Sequence, residues 1–321
     1  MDRPFKVVVT DCNFPNFDQE RRVLEPIGAE IIIGQCRTED EVIALARDAD
    51  SILNQYAPMT VRVMNALPRC KVIVRYGIGL NNLDVPAATK AGILICNVPF
   101  YGLDEVSDHT VALILSCIRK IPFMSEKAKK GEWDFKLGIP IFRIHGSTLG
   151  LVGFGNIPRR VVQKMQPWKL RILAHDPFVS DEIFKSHGVI KSSFEEILGK
   201  SDIVSVHVPL TPATQDLFSM EAFKKMRRKA FLISTSRGGI VNEPDLCRAL
   251  KERVLAGAAL DVMSTEPPDP NDPLLQLPNI IITPHMAFYS EQSIVDLQRM
   301  AAEEVARVLK GEKPLSPVNS V

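Results

Sequence analysis

The sequence predicts an α/β protein made of two doubly wound parallel-sheet domains. Three observations carry that reading. Short apolar runs of β type alternate with amphipathic stretches along most of the chain, the pattern of crossover units and a parallel sheet. The alternation comes in two series, separated by a long helical stretch and a charged segment. The chain has 321 residues, too many for one typical core and suited to two domains.

In the first series, residues 5–10, 30–33, 51–56, 71–76 and 93–98 read as strands, with helices such as 38–47 and 60–66 between them. A long helix over 104–121 follows, with an apolar stripe through Val106, Val111, Ile114, Leu115 and Ile118, suited to connecting two domains. Residues 125–135 are charged and read as an exposed arm. The second series has strands at 148–152, 171–176, 202–208, 230–236, 256–262 and 279–283, and helices such as 193–198, 220–228 and 243–253. A last helix over 291–309 is expected to return to the first domain. This predicts a discontinuous outer domain, 1–101 with 290–321, around a central domain, 102–289.

Bulk properties narrow the function classes. Hydrophobic residues make up 45% and charged residues 24%, an ordinary soluble composition. The net charge of +1 gives no global field to attract nucleic acid or an anionic membrane. The run Lys224, Lys225, Arg227, Arg228, Lys229 reads as cations on the last turn of a helix. No apolar run reaches membrane-spanning length, and the N-terminus reads as a strand rather than a signal peptide. Six scattered cysteines, most in apolar strand or helix patterns and none in a C-x-x-C pair, fit reduced structural thiols in a cytoplasmic protein. No histidine cluster has metal-ligand spacing, so no catalytic metal is expected.

The stretch TLGLVGFGNIPRR, Thr148 to Arg160, organises the second series. An apolar strand runs into Gly153, Phe154 and Gly155, and a helical pattern begins at Asn156. Strand, glycine turn and helix is the context of a dinucleotide site, here a Rossmann NAD-binding domain. Gly153 allows the turn, and Gly155 lets a pyrophosphate approach the backbone. The amides of Gly155, Asn156 and Ile157 would take the phosphates at the helix N-terminus. Pro158 stands where the third glycine is usual, and proline is tolerated in a helix's first turn. Asp176 ends the next strand, about twenty residues past the turn, where an acid hydrogen-bonds ribose hydroxyls and repels a 2′-phosphate. NAD is therefore favoured over NADP. Read singly, each feature is also compatible with an ordinary βα turn.

Three further residues lie at successive strand ends. Arg237 follows Ser234-Thr235-Ser236, and its planar fork suits a carboxylate. Glu266 lies beyond the strand that contains Asp261, and His285 ends NIIITPH. Histidine titrates near neutrality and a neighbouring carboxylate favours its charged form. Such a group can give a proton to a carbonyl oxygen as hydride arrives. In the first series, Tyr56 and Ala57 end one strand, and Gly77, Ile78 and Gly79 end another, with glycine amides suited to a carboxylate. Tyr56, Tyr101, Met286, Phe288 and Tyr289 are candidate pocket residues. His109, in the connecting helix, reads as a packing residue.

These pieces together resemble the D-isomer-specific 2-hydroxyacid dehydrogenase family. The matching segments are RYGIGLNNLDV, NVPFYGLDEVSDHTVAL, LGLVGFGN, HDP, HVPLT, STSRGGIVNEPDL, ALDVMSTEPP and ITPHMAFYSEQS. The last resembles the C-terminal-binding-protein branch, related to phosphoglycerate and glyoxylate-type dehydrogenases. The resemblance implies a flavodoxin-like substrate domain beside the NAD-binding domain. It implies that Arg237 binds the substrate carboxylate and carbonyl, and that His285 is the acid/base with Glu266 as partner. It places Thr235, Ser236 and Asp261 at the nicotinamide, with His207, Val208, Pro209 and Thr214 along the cofactor site and Thr110 near its phosphates. It places Ile78 and Gly79 as backbone ligands of substrate or cofactor, with Tyr56, Ala57, Gly77 and Phe288 among the substrate contacts. It also implies a homodimer built on the cofactor domain through the arm, and closure during turnover. Phe288 departs from the Trp of the corepressor members, and QYAP replaces the arginine-containing loop of many phosphoglycerate dehydrogenases. The expected activity is NAD-dependent interconversion of a 2-oxo acid and a D-2-hydroxy acid. The alternative is an NAD(H)-sensing dimeric binding protein with little turnover.

Overall fold

The computed structural model describes residues 4–321; Met1, Asp2 and Arg3 lie outside the described residues. The chain divides into two compact units, Met1–Gly102 with Tyr289–Val321, and Leu103–Phe288.

The first unit alternates β1 (Phe5–Val9), α1 (Asp18–Leu24), β2 (Ala29–Ile33), α2 (Glu39–Ala46), β3 (Ser51–Asn54), α3 (Val61–Asn65), β4 (Val72–Arg75), α4 (Val85–Lys90) and β5 (Leu94–Cys96). All pairings are parallel, in the order β2-β1-β3-β4-β5. The central strands are rich in Val and Ile and buried, as a sheet covered on both faces requires. Local signals place the helices: Thr38 and Glu41 form a capping box on α2, and Asp84 caps α4.

The second unit opens with α5 (Leu103–Arg119) and α6 (Ile121–Lys129). Then come β6 (Thr148–Val152), α7 (Asn156–Met165), β7 (Arg171–His175), α8 (Asp181–Ser186), β8 (Ile190–Lys191), α9 (Phe194–Lys200) and β9 (Ile203–Val206). α10 (Met220–Lys225), β10 (Phe231–Ser234), α11 (Glu243–Lys251), β11 (Gly257–Leu260) and β12 (Ile280–Ile282) complete it. The seven strands are parallel in the order β12-β11-β10-β9-β6-β7-β8, so the winding reverses between β6 and β9. One apolar core, around Leu232, Phe223 and Leu246, covers one face of the sheet. A second, around Ile114, Phe154 and Phe184, covers the other. Finally α12 (Glu291–Leu309) buries Leu297, Ala301, Ala302 and Val305 in the core of the first unit, beside Val7, Val9 and Val74.

Several expectations are corrected in detail. β2 and β6 end where expected; the other expected strands end one or two residues early, where the chain leaves the sheet to build the loops described below. Of the expected stripe on α5, Val106, Ile114 and Ile118 are buried and Val111 and Leu115 only partly so; Leu103, Thr110, Leu113 and Cys117 complete the buried face. α6 runs into the expected exposed arm, so residues 125–129 are helical, and Phe123, Met124, Lys127 and Ala128 of that helix are half-buried. Of the basic run, only Lys224 and Lys225 lie in the last turn of α10; Arg227 and Lys229 pair with Asp202 at 2.9 and 3.2 Å. All six cysteines are free and buried, but Cys12, Cys36 and Cys70 lie in loops.

Candidate active site

Because its strands are parallel, the second unit gathers every strand's carboxyl end on one edge. Gly153 has φ 94°, and a Cβ there would lie 2.8 Å from the carbonyl carbon and oxygen of His207. Glycine is required for two reasons at once, the left-handed backbone and the close approach. Gly155 is different. Its φ is −78°, and a Cβ would meet nothing within 4 Å. The protein itself makes no demand for glycine there, so the space in front of it is left open to something else. Among the described residues, none accepts from the amides of Gly155, Asn156 or Ile157, which begin a ten-residue helix. Such orphan donors at a helix N-terminus are an anion site.

The missing third glycine is absorbed locally. Pro158 is buried in the first turn of α7, where no intrahelical acceptor is needed. Phe154 stacks on Phe184 with centroids 4.9 Å apart, and Arg159 Nε donates to Phe154 O at 2.9 Å. Asp176 follows β7, accepting from the amides of Phe154 at 2.8 Å and Phe178 at 2.9 Å. Each oxygen keeps a lone pair for a ligand hydroxyl. The open amides fit the phosphates of a dinucleotide, and the Asp176 carboxylate fits its ribose hydroxyls.

Across the reversal, His207 N donates to Val152 O at 2.7 Å, and its ring nitrogen lies 2.9 Å from Ser205 Oγ. Burial pushes the imidazole down to about 3, so it is neutral at physiological pH. Thr214 Oγ1 donates to Pro209 O at 2.6 Å and closes the loop after Val208. Beyond β10, the hydroxyls of Thr235 and Thr110 lie 3.0 Å apart. Thr110 gives its proton to Val106 O at 2.7 Å, so Thr235 is the donor. Ser236 Oγ donates to Val206 O at 2.6 Å, and half-buried Arg237 donates from Nη1 to Ser236 O at 2.6 Å.

The last two strands bring His285 and Glu266 together: Nδ1 to Oε2 is 2.7 Å. Glu266 Oε1 also accepts from Met263 N at 2.9 Å, which fixes the carboxylate. A carboxylate only accepts, so Nδ1 carries a hydrogen and Nε2 is the nitrogen that can exchange a proton. The His285 side chain is 39% exposed, enough for a substrate to reach it. Phe288 stands edge-on to its ring at 6.2 Å. Asp261, by contrast, is buried and internally occupied, accepting from Thr283 Oγ1 at 2.6 Å and from the amides of Met286 and Ala287 at 3.0 and 2.9 Å.

In the first unit, the amide of Tyr56 donates to Asp11 Oδ2 at 2.6 Å and that of Gln55 to Oδ1 at 3.2 Å. The Tyr56 ring is exposed and Ala57 is buried. Among the described residues, none accepts from the amides of Gly77, Ile78 or Gly79. Gly77 has φ 123°, and the Arg75 guanidinium occupies the place a side chain would take, 1.8 Å from an added Cβ. Sequence reasoning missed Asp11, Arg75 and the links from His109 and Thr283 to Asp261. Only Arg75, directly before Tyr-Gly-Ile-Gly, left a local signal.

A seven-stranded parallel sheet with open amides at its winding reversal and a histidine–carboxylate pair on its outer strands defines a dinucleotide-binding domain that carries an acid/base group. Residues 111–287 match the NAD-binding domain of D-isomer-specific 2-hydroxyacid dehydrogenases. The chain is 35% identical over 316 residues to D-3-phosphoglycerate dehydrogenase of Methanocaldococcus jannaschii, covering 98% of this chain and 59% of that protein. It thus spans little more than half the length of that relative. It is 36% identical to glyoxylate reductase of Thermofilum pendens, covering 88% of this chain and 85% of that protein. Among solved structures, D-lactate dehydrogenase of Aquifex aeolicus, complexed with NAD and lactic acid, aligns with TM-score 0.86 and 27% identity over 95% of this chain and 96% of that one. The chain belongs to the D-isomer-specific 2-hydroxyacid dehydrogenase family. Among the described residues, no helix is long and apolar enough to cross a membrane.

Proposed function

We propose that this chain interconverts a 2-oxo acid and a D-2-hydroxy acid with NAD(H). The observation that carries this reading is the Glu266–His285 pair, on the same sheet edge as the open amides of Gly155, Asn156 and Ile157. Those amides hold the pyrophosphate, and Asp176 takes the ribose hydroxyls and disfavours a 2′-phosphate. When bound, NAD(H) supplies or accepts the hydride.

In reduction, His285 Nε2 gives its proton to the substrate carbonyl oxygen, and Glu266 keeps the ring oriented at Nδ1. In oxidation, Nε2 takes the proton back from the hydroxyl. Arg237 pairs with the substrate carboxylate through its fork. In the first unit, the amides of Ile78 and Gly79, with the Arg75 guanidinium beside Gly77, form a loop suited to an anion. Phosphoglycerate, glyoxylate and lactate relatives share the 2-oxo or 2-hydroxy acid unit, the chemistry assigned to this chain. Exposed Trp133, Phe135, Ile139 and Phe142 after α6 support a homodimer formed by the second unit. Six free buried thiols support a cytoplasmic setting.

The test is NADH oxidation with glyoxylate, hydroxypyruvate, pyruvate and bulkier 2-oxo acids, with NADH binding measured separately. Turnover of at least one acid is expected. Retained NADH binding with no turnover of any of them would replace this reading with that of a cofactor-sensing binding protein.

A further inference from the structure

A second histidine reaches the His285 loop from α5. His109 Nε2 lies 3.0 Å from Thr283 Oγ1 and 3.5 Å from Asp261 Oδ1. Thr283 Oγ1 in turn lies 2.6 Å from Asp261 Oδ1. A hydroxyl has one proton to give, and an ionised carboxylate only accepts. The Thr283 proton is therefore committed to Asp261, and Thr283 can only accept from His109. Donation runs one way, from His109 Nε2–H to Thr283 and from Thr283 to Asp261, which fixes the His109 tautomer.

Asp261 is the anchor of the loop. It is 1% exposed. Its carboxylate takes the amides of Met286 and Ala287, and its carbonyl takes the amide of His285 at 2.8 Å. Between these anchors His285 has φ 48°. A residue with a Cβ holds that left-handed backbone only where its surroundings impose it. The ring direction of His285 thus depends on Asp261, and the hydroxyl that occupies one Asp261 oxygen is held in turn by His109.

We propose that His109 is a positioning residue: by donating to Thr283 it completes the Asp261 anchor and sets the orientation of His285. This rests on His285 being the acid/base group. The neighbouring Thr110 reaches Thr235 beyond β10, so consecutive residues of α5 brace two strand ends.

The test compares wild type, His109→Leu, His109→Gln, Thr283→Val and the double variant His109→Leu/Thr283→Val. It uses the 2-oxo acid the wild type turns over best. His109→Leu should lower kcat by roughly ten- to a hundredfold, the scale of a small misplacement of a reacting group. Its KM for NADH and its Tm should stay near wild type. His109→Gln, which restores a side-chain N–H, should recover most of the loss. Thr283→Val should lower kcat similarly, and the double variant should be no worse than the poorer single one. Wild-type kcat in His109→Leu, no recovery in His109→Gln, or independent multiplication of the two single effects would each overturn the inference alone. A wild type inactive on every 2-oxo acid overturns it together with the reading it rests on.

Discussion

The two units place different things at the same topological spot. Both sheets are parallel and reverse their winding next to the first strand of their series, between β1 and β3 in one and β6 and β9 in the other. In the first unit the amides after β3, on Gln55 and Tyr56, are held by the Asp11 carboxylate, which follows β1. In the second, the amides after β6, on Gly155, Asn156 and Ile157, have no acceptor among the described residues. One crevice is closed by the protein's own anion and the other is left ready for a ligand's. Equivalent topology therefore does not mark a binding site; unsatisfied donors do.

The largest expected effect tests the chemistry on the open edge. His285→Ala should lower kcat by about 10²–10⁴-fold, the usual contribution of a general acid/base, with NADH affinity retained. Unaltered turnover in that variant would remove His285 from its role. Next are the structural contrasts. Asp11→Ala strips the anion from the closed crevice and should cost about 2–4 kcal/mol in urea denaturation, because several buried donors lose a charged acceptor. Gly153→Ala should cost about 2–3 kcal/mol from its left-handed backbone and its clash with His207. Gly155→Ala separates function from stability. Unfolding should shift by less than about 0.5 kcal/mol, while NADH binding weakens roughly tenfold or more. If Gly155→Ala binds NADH normally, the open amides are not the phosphate site.

The smallest effect concerns pH. Burial lowers His207 from 6.5 to about 3 in the folded state. Above pH 6.5 both states are neutral and stability is full. As pH falls below 6.5 the unfolded chain takes a proton that the folded one refuses until about pH 3, so stability drops across that window. Between pH 7 and 5 the loss should be about 1–2 kcal/mol for this half-buried group. His207→Gln should lose less than wild type over the same interval. Equal losses would remove His207 as the cause.

Both sheets were legible in the sequence, because buried parallel strands are continuous apolar runs and helices between them leave a 3.6-residue period. β8 went unread because two exposed residues carry no pattern. α6 was hidden because its sequence mixes charges with only partly buried apolar residues. At the site, Arg237, Glu266 and His285 were visible because each follows a readable strand, so topology alone sets them on one edge. Asp11 and His109 were not. Their partners lie 45 and 174 residues away, and no local pattern encodes a hydrogen bond across that distance.

The return of α12 has a consequence for synthesis. The first unit's sheet emerges from the ribosome before the helix that covers it. The apolar face of Val7, Val9, Leu53, Val72 and Val74 waits for Leu297, Ala301 and Val305 until the whole second unit has been made. At about 5–20 residues per second that interval is roughly 10–40 s. The second unit is continuous in the chain, so all of its residues have been made before the last helix of the first unit. For those seconds the first-made segment carries an apolar face that its last helix has yet to cover.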